Sequence, residues 1–142
     1  MAVEVPLSAF KRVPYVEPDG CTWAFVGYNW VGATFLMHIR NRYGDTGTPI
    51  ISLAGASAGS EGISVSYDAD YSYTDPVSGQ TVTAPASLVL VQIDEATLEA
   101  LSLGTPVDAP VELVYDLHVT PSGGVKRVAV FGTFSILPGS TI

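Results

Sequence analysis

The stretch VELVYDLHVT, residues 111–120, alternates between two sets of side chains with a period of two. One set is apolar and is expected to face a core: Val111, Leu113, Tyr115, Leu117 and Val119. The other set is mixed and is expected to face outward: Glu112, Val114, Asp116, His118 and Thr120. This alternation predicts a half-buried β-strand. The turn sequence PSGG and the β-rich run at 125–137 then predict an antiparallel hairpin.

Working outward from this hairpin, shorter runs with the same period predict strands over residues 21–28, 33–42, 50–54 and 87–93. In the second run, Phe35, Met37 and Ile39 are expected to face the core. DPVSG at 75–79 predicts a turn inside a protruding hairpin of about residues 63–83. The spacing DEATLEALSLG predicts one or two helical turns capped by Asp94. Seven to eight strands with one short helix predict an all-β, antiparallel β-sandwich.

The sandwich is expected to span residues 21–138, between an N-terminal arm at 1–20 and a short tail at 139–142. Three closely spaced prolines, Pro6, Pro14 and Pro18, disfavour a helix or a central strand in the arm. The arm is nevertheless apolar and lacks a strand or helix period of its own. It is therefore predicted to be extended, to lie along its own domain or a neighbour, and to serve in docking.

Composition narrows the functional classes. The chain has 142 residues, of which 47% are hydrophobic and 14% charged, with a formal net charge of −8. Either Ser, Thr and Gly form the surface, or other subunits cover part of it. The acidic balance argues against nucleic-acid binding, which requires clustered Lys and Arg. No apolar run is long enough to span a membrane, and the N-terminus lacks the pattern of a signal peptide. A soluble protein that is not exported by that route is expected.

No motif in the sequence predicts catalysis or metal binding. Asp116 could orient His118 on the same strand face, but no G-x-S-x-G elbow supplies a nucleophile, and outward cross-strand pairs are the favoured interpretation. Asp68 and Asp70 form a D-x-D pattern, which is weak evidence for a cation site. Cys and His spacing does not fit zinc. We therefore expect no catalytic, cofactor-binding or metal-binding residues, and no enzyme.

Tyrosines dominate the predicted hairpin and favour a contact surface there. Tyr67, Tyr71 and Tyr73 accompany its acidic residues. Tyr is enriched in the cores of protein interfaces, although aromatic and carboxylate side chains together also resemble a sugar-binding surface. The sequence offers eight candidates for protein contact: Phe10, Tyr15, Trp30, His38, Arg40, Tyr67, Tyr71 and Tyr73.

Residues 20–137 resemble the N-terminal domain of phage baseplate upper proteins and related tail-fibre-associated proteins. The resemblance lies in short motifs at corresponding places: Gly20, Thr22 and Trp23; Gly32, Ala33, Phe35, Met37, Ile39 and Arg40; Asp94 and Leu98; Tyr115, Asp116 and Leu117; Gly132, Phe134 and Ile136. It implies an immunoglobulin-like sandwich without catalytic residues that attaches tail or receptor-binding parts to the virion. Trp30 and Val31 replace the Leu-Thr of the family pattern, and the tyrosine-rich segment, about residues 67–83, looks like an insertion.

These observations together predict a bacteriophage virion structural protein, made in the host cytoplasm, that joins tail, baseplate or tail-fibre components. The family domain is often followed by a helical or fibre-forming region, and the end of this sequence at Ile142 favours a short adaptor. The expected partners are other virion structural proteins and further copies of the chain. A capsid decoration or head-fibre protein is the alternative within that class. From other classes come a carbohydrate-binding module that uses Trp30 and the three tyrosines, with a glycan as its partner, and, further behind, a hydrolase that uses the histidines.

Overall fold

The computed structural model describes residues 2–10, 14–15, 21–101 and 110–137. Within these residues the chain forms nine strands and one helix, with the following bounds: β1 Val3–Glu4, β2 Leu7–Phe10, β3 Cys21–Val26, β4 Thr34–Arg40, β5 Ile51–Ala54, β6 Gly62–Thr74, β7 Thr81–Gln92, α1 Glu95–Glu99, β8 Val111–Thr120 and β9 Arg127–Leu137. The predicted all-β sandwich is confirmed. The predicted tail at 139–142 and much of the second half of the arm lie outside the described residues.

The strands form two sheets. One has the order β1-β9-β8-β4-β5, with β2 also paired to β9, and the other has the order β3-β7-β6. Every pairing between named strands is antiparallel except those of β1 and β2, which run parallel to β9. If β3, β4, β6, β7, β8 and β9 are taken as strands B, C, D, E, F and G, the sheets contain the G-F-C and B-E-D orders of an immunoglobulin-like sandwich.

The core lies between the sheets and follows the predicted alternation. Phe35, Met37 and Ile39 on β4 are buried. On β8 the buried side chains are Leu113, Tyr115, Leu117 and Val119, whereas Val111 is only partly buried and packs against the core. Tyr115 links the layers: its ring stacks on that of Trp23 with centroids 6.4 Å apart. The alternation is informative because only one face of each of these strands packs against the opposite sheet.

Residues 3–10 of the N-terminal arm form an edge of the first sheet. Leu7–Phe10 pairs with Phe134–Leu137, and Tyr15 forms an isolated bridge with Ile93. Between β1 and β2, the amide of Val5 donates to the carbonyl of Phe131 at 2.8 Å, and the Tyr115 hydroxyl donates to the carbonyl of Val5 at 2.6 Å. Of the two locations predicted for the arm, these residues therefore occupy the one on their own domain. Periodicity was a poor guide because each arm strand is very short.

Strand β7 differs from the sequence prediction, which ended a hairpin at about residue 83 and began another strand at residue 87. The structure has one strand, Thr81–Gln92, that runs through Pro85. Its partner β6 bulges at this point, because Asp68 pairs with Ala86 whereas Tyr71 pairs with Ala84. A bulge leaves a gap in the hydrogen-bond ladder, so the absence of an N–H on proline is tolerated there. The Pro85 carbonyl still accepts from Gly27 at 2.8 Å.

The short helix is confirmed as one turn, Glu95–Glu99, with Asp94 at its N-cap. The Asp94 carboxylate does not bond the helix backbone and instead accepts from the side-chain amide of Gln92 at 3.0 Å. Glu61 reaches this helix start from the loop before β6: its carboxylate accepts from the Asp94 amide at 2.8 Å and from the Thr97 hydroxyl at 2.6 Å. No helix in the described part of the chain is both long and apolar enough to cross a membrane.

Candidate protein-contact surface

Two of the eight predicted contact residues, Tyr15 and Trp30, are buried in the core of the folded chain. Tyr15 is 3% exposed and its ring meets Phe134 edge-on, with centroids 5.5 Å apart. Trp30 is 5% exposed, and its backbone amide donates to the Ser87 hydroxyl at 2.8 Å. The Trp30 ring packs on Phe25, with centroids 4.5 Å apart. Neither ring is exposed to a partner in the folded chain. The Trp30 side chain therefore cannot contribute to the predicted sugar-binding surface.

The six other candidates lie in separate places. Phe10 is 52% exposed at the end of β2. His38 and Arg40 are half-buried on the outer face of β4, and the three tyrosines lie on β6. These groups do not form one continuous surface, and the neighbours of each decide what it can bind.

The outer face around His38 holds a polar cluster that the sequence does not reveal. His38 pairs with Asp116 on β8 and with Ser52 on β5, which places the three residues in one row across the sheet. The Asp116 carboxylate lies 3.2 Å from the His118 imidazole. An open cleft of about 220 Å³ lies over this cluster and is also lined by Tyr43. Residues from two strands that are distant in the sequence are thus brought together.

The row Ser52–His38–Asp116 has the composition of a catalytic triad but not its hydrogen bonds. The Nδ1 atom of His38 lies 3.4 Å from the Arg40 guanidinium, which also donates to the Gly47 carbonyl. Burial, followed by the charge of Arg40, lowers the pKa of His38 despite the opposing effect of Asp116. In a triad the carboxylate bonds the imidazole, and the imidazole bonds the nucleophile. Here the carboxylate pairs with the other histidine, His118.

Other polar groups of this face are also paired within the chain. The Tyr43 hydroxyl donates to the carbonyl of Gly132 at 2.9 Å, and burial raises the pKa of that phenol. The described residues contain no group of three or more His, Cys, Asp or Glu side chains arranged to hold a metal ion. The arrangement is therefore that of cross-strand polar pairs on a half-buried sheet face.

The bulge in β6 divides the tyrosines between the two faces of the second sheet. Tyr67 pairs with Ser87, which faces the core, whereas Tyr71 and Tyr73 pair with Ala84 and Val82 on the other face of β7. Without the bulge, three odd-numbered tyrosines would share one face. The Tyr71 and Tyr73 rings stack with centroids 6.2 Å apart. The hairpin thus presents a tyrosine pair outward, while the exposed ring of Tyr67 lies on its other side.

Beyond the bulge, the hairpin extends past the rest of its sheet. The last pair between β3 and β7 is Val26 with Ala86, whereas β6 and β7 remain paired as far as Thr74 with Thr81. The turn of residues 27–33 lies beside the base of the hairpin, because the Ser87 hydroxyl donates to the Tyr28 carbonyl at 2.8 Å. The turn of residues 121–126 is at the same end, because Thr34 pairs with Thr120. We call residues 27–33, 69–81 and 121–127 the hairpin end.

Exposed apolar side chains concentrate at the hairpin end and beside it. Val125 is 84% exposed and Val77, in the tip of the hairpin, is 94% exposed. Tyr28 and Val31 are also exposed, and the Arg127 guanidinium lies 5.3 Å from the centroid of the Tyr28 ring. A shallow cleft of about 170 Å³ next to this ring is lined by Val3, Val26 and Trp30, among others. Exposed Tyr and Arg beside apolar side chains are typical of protein interfaces.

Sequence reasoning did not select Tyr28, Val31, Val125 or Arg127. Each lies in or next to a glycine-containing turn, where polar residues are normal. Apolar residues in such turns were the available signal. No protein-family model and no curated protein matches this chain. The resemblance to phage baseplate proteins therefore depends on the short motifs in the sequence alone.

Proposed function

We propose that this chain is a bacteriophage virion structural protein, a tail, baseplate or tail-fibre adaptor that joins subunits by protein–protein contacts. Two lines of reasoning support the proposal. The motifs at Gly32–Arg40 and Tyr115–Leu117 resemble those of phage baseplate upper proteins. The fold that this resemblance implies, an immunoglobulin-like sandwich, agrees with the strand order of the two sheets. A fold alone does not determine a function, so the contact surface carries the argument.

The single observation that carries the proposal is the exposed hairpin end. Val77 and Val125 expose most of their surface to water, and the Tyr28 ring lies beside the Arg127 guanidinium. Burying such side chains against a partner is favourable by roughly 25 cal/mol for each Å² of apolar surface removed from water. The polar cluster around His38, in contrast, already satisfies much of its own hydrogen bonding. Binding through the hairpin end is therefore favoured over catalysis at the histidines.

The experiment is incorporation of the chain into phage particles. Particles assembled with the wild-type chain should contain it, and immunogold labelling should place it on the tail or baseplate. The Val125→Asp variant should fold, because its side chain is already solvated, but should be depleted from particles. Glu112→Lys, an exposed change on the outer face of β8, is the matched control and should be incorporated normally. Absence of the wild-type chain from purified particles would contradict the proposal, and label on the head would support a capsid decoration or head-fibre protein instead.

A glycan-binding module remains the candidate from another class, and the Tyr71–Tyr73 stack is the observation that favours it. Tyr71 and Tyr73 lie side by side on the outward face of the hairpin, and aromatic side chains are common where proteins contact sugars. A glycan array in which the wild-type chain binds a defined sugar and Tyr71→Ala does not would select this candidate. Binding of no sugar by the folded wild-type chain would eliminate it.

A further inference from the structure

The charges of this chain are unevenly distributed between its parts. Residues 43–125 contain eleven acidic residues and neither Lys nor Arg. Strands β6 and β7, with the hairpin between them, lie wholly within that range and carry Asp68, Asp70 and Asp75. The turn of residues 121–126, at the same end of the sandwich, carries Lys126 and is followed directly by Arg127. One end of the molecule therefore presents an acidic hairpin and a basic turn together.

These opposite charges do not form ion pairs with each other inside one molecule. Among the described residues, the side-chain contact between acidic and basic groups is the one on the other sheet between Asp116 and His118, 3.2 Å apart. The Asp68 and Asp75 carboxylates accept hydrogen bonds from nearby backbone amides, those of Asp70 and Val77 respectively, at 2.9 Å each. The charged surfaces of the hairpin and of the turn are thus both available to an external partner.

The outer hairpin is also short of structural support. Within the described residues, 71–74 and 81–84 pair with each other and with no third strand, because β3 ends opposite Ala86. An isolated two-stranded hairpin is marginally stable in water. In this chain, the part of the hairpin between Ala86 and the turn at residues 75–80 is about 20 Å long, at ~3.4 Å per residue. A surface that packs against this hairpin would therefore stabilise its pairing as well as bury Val77.

We propose that the partner at the hairpin end is a second copy of this chain, bound end to end around a two-fold axis. In this dimer the acidic hairpin of each copy lies against the Lys126–Arg127 turn of the other. An isologous contact requires one patch that is complementary to itself. The hairpin end meets that requirement, because it holds both members of the charge pair together with exposed apolar side chains. The inference deepens the proposed function by naming the partner of the same surface.

Charge reversal tests the dimer by sedimentation equilibrium of the full chain. The wild type should dimerise, and more weakly as NaCl is raised, because exposed charge pairs are screened. Asp70→Lys and Lys126→Glu should each weaken dimerisation by about tenfold or more, since each creates two like-charge contacts across the axis. The Asp70 side chain is exposed, and the bond from Asp70 to Asp68 uses only its backbone amide, so the reversal should leave the fold intact. Circular dichroism would verify this.

Recombining the two reversals makes the test specific. The double variant Asp70→Lys/Lys126→Glu should regain dimerisation, and an equal mixture of the two single variants should form heterodimers in preference to either homodimer. Glu112→Lys makes the same change in charge as Asp70→Lys but lies outside the hairpin end, and it should dimerise as the wild type does. A wild-type chain that stays monomeric, or dimers insensitive to both reversals, would overturn the inference.

The two proposals fail in distinguishable ways. A chain that is monomeric but enters phage particles through the hairpin end overturns the dimer and leaves the adaptor role standing. A chain that dimerises as described but is absent from particles supports the dimer and contradicts the adaptor role.

Discussion

Replacing Gly132 by alanine should detach the N-terminal arm from the sheet. A Cβ built on Gly132 falls against the Val5 backbone, closest to its carbonyl oxygen and 2.9 Å from its carbonyl carbon. Real Cβ atoms do not approach backbone atoms that closely, and a backbone cannot rotate away as a flexible side chain can. Glycine at this position therefore allows β9 to lie against the arm, and alanine would push the arm outward.

The effect of Gly132→Ala on the free energy of unfolding can be estimated from the two backbone hydrogen bonds of Val5. Its amide donates to the Phe131 carbonyl, and its carbonyl accepts from the Tyr115 hydroxyl. Each hydrogen bond contributes about 1 kcal/mol net, and leaving a buried polar group without a partner costs about 1–3 kcal/mol. We expect Gly132→Ala to lower the free energy of unfolding by about 2–4 kcal/mol, since Tyr115 is 1% exposed and little water reaches it.

Urea denaturation of the wild type, Gly132→Ala, Tyr115→Phe and the double variant measures this cost as a double-mutant cycle. Tyr115→Phe alone removes one hydrogen bond to Val5 and should cost about 1–2 kcal/mol. Because alanine at position 132 already separates Val5 from Tyr115, the double variant should lose much less than the sum. Gly47→Ala is the control, because a Cβ there meets only Asp45 at 3.9 Å. It should change the free energy of unfolding by less than about 0.5 kcal/mol.

Two results would refute this reasoning. If Gly132→Ala is as stable as Gly47→Ala, the close approach of Val5 to β9 is not a constraint on the fold. If the two substitutions in the cycle are additive, Gly132 and Tyr115 do not act through the shared contact with Val5. Protection of the amide of Val5 from hydrogen exchange gives an independent measure, since displacement of the arm should remove it.

Two further predictions concern His38 and Glu61. Because the pKa of His38 is lowered in the folded chain, the unfolded chain binds a proton at His38 more readily, and the free energy of unfolding should fall as the pH decreases from about 7 through the usual histidine pKa of about 6.5. In denaturation measured across that range, His38→Asn should make the free energy of unfolding depend less on pH. An unchanged pH dependence would contradict the prediction. Glu61→Ala removes the acceptor for both the Asp94 backbone amide and the Thr97 hydroxyl, and thermal unfolding should show a free energy of unfolding lower by about 1–2 kcal/mol. The control Glu95→Ala, at an exposed neighbouring position, should lower it far less. Equal losses in the two variants would argue against capping by Glu61.

Much of the sandwich could be predicted because its central strands bury one face only. The runs around Met37 and Leu117 alternate cleanly, and both residues are fully buried as expected. The arm was harder to predict for a physical reason. Residues 3–10 are held in place by backbone pairing with β9 and by the close approach of the Val5 backbone to Gly132. Neither interaction requires alternating apolar side chains in the arm. A local sequence pattern cannot predict pairing with a strand that is more than a hundred residues away in the sequence.

The faces on which the hairpin tyrosines lie could not be predicted, because the sequence alternation does not reveal a bulge. Tyr67 and Tyr71 are four residues apart and would share a face in a regular strand. The extra residue at the Asp68–Tyr71 bulge reverses this, and Pro85 on the partner strand marks its position. A proline inside an otherwise regular β-run can therefore indicate a bulge in the neighbouring strand as well as a strand end.

The polar cluster and the hairpin end differ in how much they can gain from a partner. Arg40 already donates to the Gly47 carbonyl, and Asp116 lies in hydrogen-bond contact with His118, so a partner at that face must exchange existing bonds for new ones. Val77 and Val125 have no existing bonds to give up, because most of their side-chain surface is exposed to water. Apolar surface that is solvated in the free chain and buried in a complex contributes to affinity without breaking a hydrogen bond. In the proposed adaptor role, Val77, Val125 and Tyr28 at the hairpin end would therefore contribute more binding free energy than the histidines.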